Sequence, residues 1–268
     1  MHEKKERLDI LLVRRNYFPS RQQAQAAIMA GLIVVDGEKI EKAGTRVTRE
    51  AIIRILGKTH PYVSRGGLKL EKALQHFNIS LEKKIVMDVG ASTGGFTDCA
   101  LQYGAEKVYA VDVGFGQLDW KLRQDKRVVV MEKTNIRYLE AKAIPEPVDF
   151  VCIDVSFISL AKVLPKIIEV LKPKSEIVAL VKPQFEAGPD QVGKGGIVRS
   201  PKVHVEVLLQ VVNFALELGL IMGGITFSPI TGAKGNIEYL LYLVKNGAHQ
   251  AKPLTMIADI VTDAWKEV

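Results

Sequence analysis

The chain has few cysteines and no long apolar runs. Only Cys99 and Cys152 occur in 268 residues, both in apolar stretches, which reads as buried free thiols. No His/Cys grouping has metal-ligand spacing, so no metal is expected. No apolar run approaches the ~20 residues a membrane-spanning helix needs. Met1-His2-Glu3-Lys4-Lys5-Glu6 is charged where a signal peptide would be apolar, so a cytoplasmic protein is expected. Internal repeats and low-complexity tracts are also missing.

What is present is ordinary globular composition, 47% apolar and 25% charged. The length allows one large domain, or a large one with a small one. The net charge of +7 is uneven: residues 1–60 carry +5 and residues 61–268 only +2. A local basic excess favours a polyanionic partner, although a solvated surface has the same composition.

The pattern divides the chain into a small domain (1–59), a linker (60–66) and a large domain (67–268). Residues 5–16 read as an amphipathic helix with Leu8, Leu11 and Leu12 inward. Pro19 stops it. Ser20 is placed to cap a second helix through Ala30, with Ala24, Ala27 and Ile28 inward and Gly31 ending it. Leu32–Val35, Asp36-Gly37 and Glu38–Ile40 read as a tight hairpin. Val47 and Ile52–Ile55 suggest further strands, and Gly57 begins a break through Pro61. Beyond the linker, a helix over 67–77 is followed by apolar β-branched runs at Ile85–Val89, Val108–Asp112, Val128–Met131, Phe150–Asp154 and Ile177–Val181. Helical patterns separate most of them. Runs apolar on both faces imply an α/β fold with a mainly parallel sheet. Ile221–Ser228 and Ile237–Val244 read as a terminal antiparallel hairpin.

Asp88 closes the first strand of this sheet. Gly90, Ala91, Ser92, Thr93, Gly94, Gly95, Phe96 and Thr97 follow as a Gly-rich loop entering a helix. Such a loop lets backbone approach a ligand. Its G-x-x-x-G-G spacing departs from the dinucleotide fingerprint, and no Gly-Lys-Ser/Thr marks a P-loop. Asp112 ends the second strand and suits ribose hydroxyls, whether of a dinucleotide or of S-adenosylmethionine. Asp88 favours the latter, where an acid commonly supports the methionine end, with Ser92 and Thr93 offering hydroxyls to it. A helix cap is the competing reading for Asp112. Asn135 suits either an adenine edge or a turn.

Asp154 and Lys182 stand at the carboxyl ends of adjacent runs, where open α/β sheets bind ligands. Lys69 precedes the first strand and Glu238 opens the last. No motif logic alone joins those two to the site.

Residues 6–58 resemble the S4 RNA-binding domain, on Arg7-Leu8-Asp9, Ser20–Ala24, Gly31 and Val34–Gly37. Lys69, Asp154, Lys182 and Glu238, in their flanking segments, resemble the Lys-Asp-Lys-Glu tetrad of FtsJ-like 2′-O-methyltransferases. Together, over residues 6–245, the chain is similar to the TlyA family, often labelled hemolysin A. The resemblance implies a Rossmann-like methyltransferase domain with a seven-stranded sheet behind a small α+β S4-like domain. It implies S-adenosylmethionine as cofactor, held by Asp88, Gly90–Thr97, Asp112, Asn135 and Asp154. The implied reaction is methylation of ribosomal RNA at a ribose 2′-OH, on a cytidine. The RNA partners implied are Arg7, Arg14, Arg15, Arg21, Gln22, Gln25 and Lys39, with Arg65, Lys194 and Arg199 in the large domain.

A ribose hydroxyl becomes a good nucleophile only on losing its proton, and a lysine amine serves as base only when neutral. Lys182 is expected to be that base, with Asp154 aligning it and Lys69 and Glu238 positioning the hydroxyl. Direct transfer without a covalent enzyme intermediate is implied. The competing readings are a plain Lys182–Asp154 ion pair and an exposed Glu238. Gln184–Ser200 reads as a loop closing over RNA or a passive surface loop. Phe157 reads as a core residue or as a neighbour of the target nucleotide. A non-catalytic RNA-binding or assembly factor is the alternative function. A membrane-lysing protein has little support, for want of a spanning segment. The oligomeric state stays open.

Overall fold

The computed structural model describes residues 5–15, 17–18, 20–56, 60–246 and 253–267. The chain forms two compact units, Met1–Thr59 and His60–Val268.

In the small unit, β1 (Lys5–Arg7) leads into α1 (Leu8–Arg14), followed by α2 (Arg21–Met29), β2 (Ile33–Val35), β3 (Glu38–Ile40), β4 (Arg46–Thr48) and β5 (Ile53–Ile55). The helix expected from residue 5 therefore starts at Leu8. Residues 5–7 instead pair antiparallel with β4, which satisfies their backbone groups in a ladder. Ser20 Oγ accepts from Gln23 N at 3.3 Å and caps α2. Asp36 and Gly37 both have positive φ, as a two-residue hairpin turn between β2 and β3 requires. β2 is central between β3 and β5. Leu8, Leu11, Leu12, Ala24, Ile28 and Ile33 form the fully buried centre. Gly57 lies outside the described residues.

The large unit opens with residues 60–65, expected as part of a linker but packed into this unit. Tyr62 is buried and its hydroxyl donates to Glu71 at 2.8 Å, while Val63 N donates to Asp98 at 2.8 Å. Then come α3 (Gly66–His76), β6 (Ile85–Val89), α4 (Gly95–Gln102), β7 (Lys107–Val111), α5 (Trp120–Arg123), β8 (Val128–Met131) and β9 (Val148–Ile153). α6 (Leu164–Val170), β10 (Leu171–Val181), α7 (Pro183–Glu186), α8 (Pro201–Glu217), β11 (Leu220–Phe227), β12 (Tyr239–Lys245) and α9 (Met256–Glu267) complete it.

The seven strands are ordered β11-β12-β10-β9-β6-β7-β8. The five from β10 to β8 run parallel, and β12 is antiparallel between β10 and β11. An apolar cluster covers each face, so the strands carry buried residues on both sides. The order reverses at β6 and β9, and a crevice opens beyond their carboxyl ends.

Candidate active site

The crevice starts from backbone. Gly90 follows β6 with φ +89°, and a Cβ there would lie 2.3 Å from the Asp154 carbonyl oxygen. Only glycine lets the two strand ends close this tightly. Gly95 opens α4, and a Cβ on it would lie 2.9 Å from Gly67 N. The first turns of α3 and α4 are therefore in backbone contact. Two cavities result. One of about 370 Å³ includes Ser64, Arg65, Lys69, Gly95 and Thr231 in its wall. One of about 740 Å³ includes Asp112, Asn135, Ile136, Ser156 and Phe157. Gly90, Ser92 and Asp154 line both.

The four scattered charges meet here. Glu238 Oε2 lies 2.6 Å from Lys69 Nζ, which lies 3.9 Å from Asp154 Oδ2. Asp154 Oδ1 lies 2.5 Å from Lys182 Nζ. Carboxylate and ammonium alternate along one row. Lys69 and Lys182 are 8% exposed and Glu238 only 3%, so the exposed-glutamate reading gives way to a buried ion pair. Lys182 and Glu238 line neither cavity; they reach them through Asp154 and Lys69. Gly232 packs so close to Glu238 that a Cβ there would meet its carboxylate at 2.0 Å.

The loop residues divide. Ala91, Gly95 and Phe96 line the smaller cavity with Gly90 and Ser92. Thr93, Gly94 and Thr97 line neither cavity. Nor does Asp88, which is wholly buried: one oxygen accepts from Thr97 Oγ1 at 2.6 Å and the other has no partner among the described residues. Burial pushes its carboxyl up to about 7. Asp112 accepts from Ser92 N at 2.8 Å and Gly114 N at 2.7 Å, so it shapes the loop while lining the larger cavity. Asn135 accepts from Arg137 N at 3.1 Å, the turn role, and also lines that cavity.

Reasoning from sequence missed Ser156, whose Oγ accepts from Lys182 Nζ at 3.0 Å. Its place two residues after Asp154 was the available signal. Thr231 and Gly232 had none, because the β11–β12 connection brings them in. Phe157 is 89% exposed and is not a core residue. Its φ of +63° is strained for an aromatic residue, and its ring centroid lies 4.8 Å from that of Phe185.

Among the expected RNA partners of the large unit, Arg65 donates to Thr231 O at 3.3 Å and lines the smaller cavity. Lys194 and Arg199 are exposed. Their loop is tied down: Asn236 bonds Gly196 O at 2.9 Å and Val198 N at 3.4 Å, and His204 bonds Val198 O at 3.0 Å. In the small unit, Arg7, Arg21 and Gln25 converge on Asp9. Arg14 pairs with Glu6 at 2.9 Å and Lys39 with Glu41 at 3.1 Å. Arg15 donates to Ala51 O at 2.7 Å, and Gln22 is exposed. Among the described residues, no His/Cys/Asp/Glu group is arranged to hold a metal, and no helix is long and apolar enough to cross a membrane.

Comparison with known proteins gives the same two-part division. Residues 62–245 match the FtsJ-like methyltransferase family and residues 6–53 the S4 domain. A candidate rRNA methyltransferase of Bacillus subtilis, YqxC, is 55% identical over 99% of this chain and 96% of its own. The 16S/23S rRNA (cytidine-2′-O)-methyltransferase TlyA of Mycobacterium tuberculosis is 46% identical over 90% of each chain. The solved structure of a candidate hemolysin from Streptococcus thermophilus is 48% identical, with a TM-score of 0.80, over 99% of this chain and 98% of that one. With its S4 domain ahead of an FtsJ-like methyltransferase domain, the chain belongs to the TlyA family.

Proposed function

We propose that this protein methylates a ribose 2′-OH of ribosomal RNA, on a cytidine, with S-adenosylmethionine as methyl donor. The carrying observation is the Glu238–Lys69–Asp154–Lys182 row, buried but for the partly exposed Asp154, at which it meets both cavities. A cofactor with a nucleoside end and a charged amino-acid end fits that pair of cavities. The larger offers the Asp112 carboxylate, Asn135 and the apolar wall of Ile136 to a nucleoside. The smaller offers Ser64, Arg65 and the backbone of the Gly-rich loop to a charged end. When bound, the cofactor supplies an electrophilic methyl group.

The protein's own part is to prepare the hydroxyl. Lys182 is the base, and Asp154 and Ser156 fix its amine from two sides. Lys69, oriented by Glu238, supplies a second ammonium beside Asp154 and helps position the hydroxyl. Phe157 offers an exposed ring on which the target base can stack. The small unit supplies RNA affinity, and the work is placed in the cytoplasm, where ribosomes are. Purified protein, labelled S-adenosylmethionine and unmodified ribosomal subunits test this reading. Label is expected on 2′-O-methylcytidine, mapped by mass spectrometry. RNA binding without label transfer to either subunit would instead favour an assembly factor.

A further inference from the structure

The small unit's cations are organised around one carboxylate. Asp9 is 0% exposed. Its Oδ1 accepts from Arg7 Nε at 3.0 Å. Its Oδ2 accepts from Arg7 Nη2 at 3.0 Å, Arg21 Nε at 2.8 Å and Gln25 Nε2 at 2.7 Å. The three donors come from β1 and α2, so the carboxylate ties the two elements together. The Arg7 and Arg21 side chains remain 40% and 52% exposed. Each guanidinium has five N–H donors. Arg7 gives two to Asp9 and Arg21 one, which leaves donors of both without a hydrogen-bond partner among the described residues.

We propose that Asp9 is a positioning residue for RNA recognition, holding Arg7, Arg21 and Gln25 in one preformed array for phosphate groups. Two guanidiniums that share one oxygen would repel each other without the charge between them. Hydrogen bonds from Arg7, Gln25 and Arg21 hold the Asp9 carboxyl well below the usual range, so the linchpin stays ionised at working pH. Preforming the array removes the ordering of long side chains from the cost of binding.

The inference rests on the reading that this unit binds ribosomal RNA, and it makes a prediction opposite in sign to simple charge counting. Asp9→Asn makes the chain more positive by one. Counting charges, it binds RNA as well or better, with a steeper salt dependence. If Asp9 positions the array, it binds about tenfold more weakly and with a shallower salt dependence, as guanidinium–phosphate contacts are lost. The experiment measures binding of the full chain to isolated ribosomal subunits across a salt series. It compares wild type, Asp9→Asn, Arg7→Ala/Arg21→Ala and the triple variant. In the Arg7→Ala/Arg21→Ala background, Asp9→Asn is expected to add little. Equal or tighter binding by Asp9→Asn overturns the proposal. So does a loss that persists undiminished in that background, since it would report damage to the fold. If Arg7→Ala/Arg21→Ala itself binds like wild type, the array takes no part in binding and the proposal is overturned; if changing Arg14, Arg15 and Lys39 to Ala alongside them also leaves binding at the wild-type level, the RNA-binding reading of this unit fails.

Discussion

Asp9 in the small unit and Asp88 in the large one are both closed off from solvent, yet they behave as opposites. Asp9 takes hydrogen bonds from two guanidiniums and an amide and is held strongly acidic. Asp88 is met by Thr97 alone, through its hydroxyl and backbone, and has one oxygen without a partner among the described residues, and burial raises its carboxyl to about 7. Burial alone does not set the charge of a group; the donors around it do. The two units use this differently. The small unit surrounds a carboxylate with cations and leaves their spare donors to solvent. The large unit pairs lysine with carboxylate until the row is balanced and nearly closed. One arrangement suits holding a polyanion, the other suits moving a proton.

The sharpest test of that contrast is a crossed pair of variants. Lys182→Ala should cut methyl transfer roughly a thousandfold, within the range of a lost general base. Its affinity for ribosomal subunits should stay at the wild-type level. Asp9→Asn should do the reverse, weakening binding while leaving the rate at saturating RNA intact. Single-turnover rates and binding isotherms separate the two. A Lys182→Ala protein that folds, binds cofactor and transfers methyl at the wild-type rate would remove the base assignment.

Next in size is the balance within the row. Glu238→Leu leaves Lys69 buried without its 2.6 Å partner and should lower stability by about 4 kcal/mol. Adding Lys69→Met removes the stranded charge and should restore most of that stability, but not activity. Denaturant midpoints and methylation assays report the two halves. Recovery of activity along with stability would make the Lys69–Glu238 pair purely structural.

The Asp88 carboxyl lies above its ordinary value of 3.8. Between about pH 4 and 7 the native state therefore keeps a proton that the unfolded chain has lost. Its stabilising contribution is full below pH 4, declines as pH rises to 7 and is level above. Asp88→Asn resembles the protonated acid and should erase roughly 3 kcal/mol of that decline. Urea midpoints of both proteins at pH 5 and pH 8 measure it. A wild-type-minus-variant difference that is the same at both pH values would show that Asp88 is ionised throughout.

Sequence periodicity carried most of the fold because its signals are local. Leu8, Leu11 and Leu12 lie inward as their spacing implies, and the β-branched runs became the parallel strands. Residues 5–7 carry a helical pattern yet form a strand, because that strand exists only through a distant partner, β4. α9 is legible in the spacing of Ile257, Val261 and Ala264, which repeat at helical period and are buried. At the site, Asp154 and Lys182 were legible as strand ends. Lys69 joins them through the packing of α3 and Glu238 through the return of the terminal hairpin, contacts that no local pattern encodes. Asp9 was legible only as part of a motif. Its work shows once α2 brings Arg21 and Gln25 back to it.

The smallest expected effect concerns Ser156, the neutral member of the large-unit cluster. Lys182 Nζ is held by a carboxylate at 2.5 Å and by this hydroxyl at 3.0 Å. A carboxylate can only accept. A hydroxyl accepts from the ammonium and also donates to the neutral amine, so it holds the side chain in both protonation states. Ser156→Ala should slow transfer about fivefold, the worth of one ordinary hydrogen bond, with KM for RNA unchanged, and Ser156→Thr should recover most of it. A loss as large as that of Lys182→Ala would put the hydroxyl itself on the proton's path. No loss would leave Asp154 alone to orient the base, and the large-unit row would then resemble the small one, a cation governed by a single carboxylate.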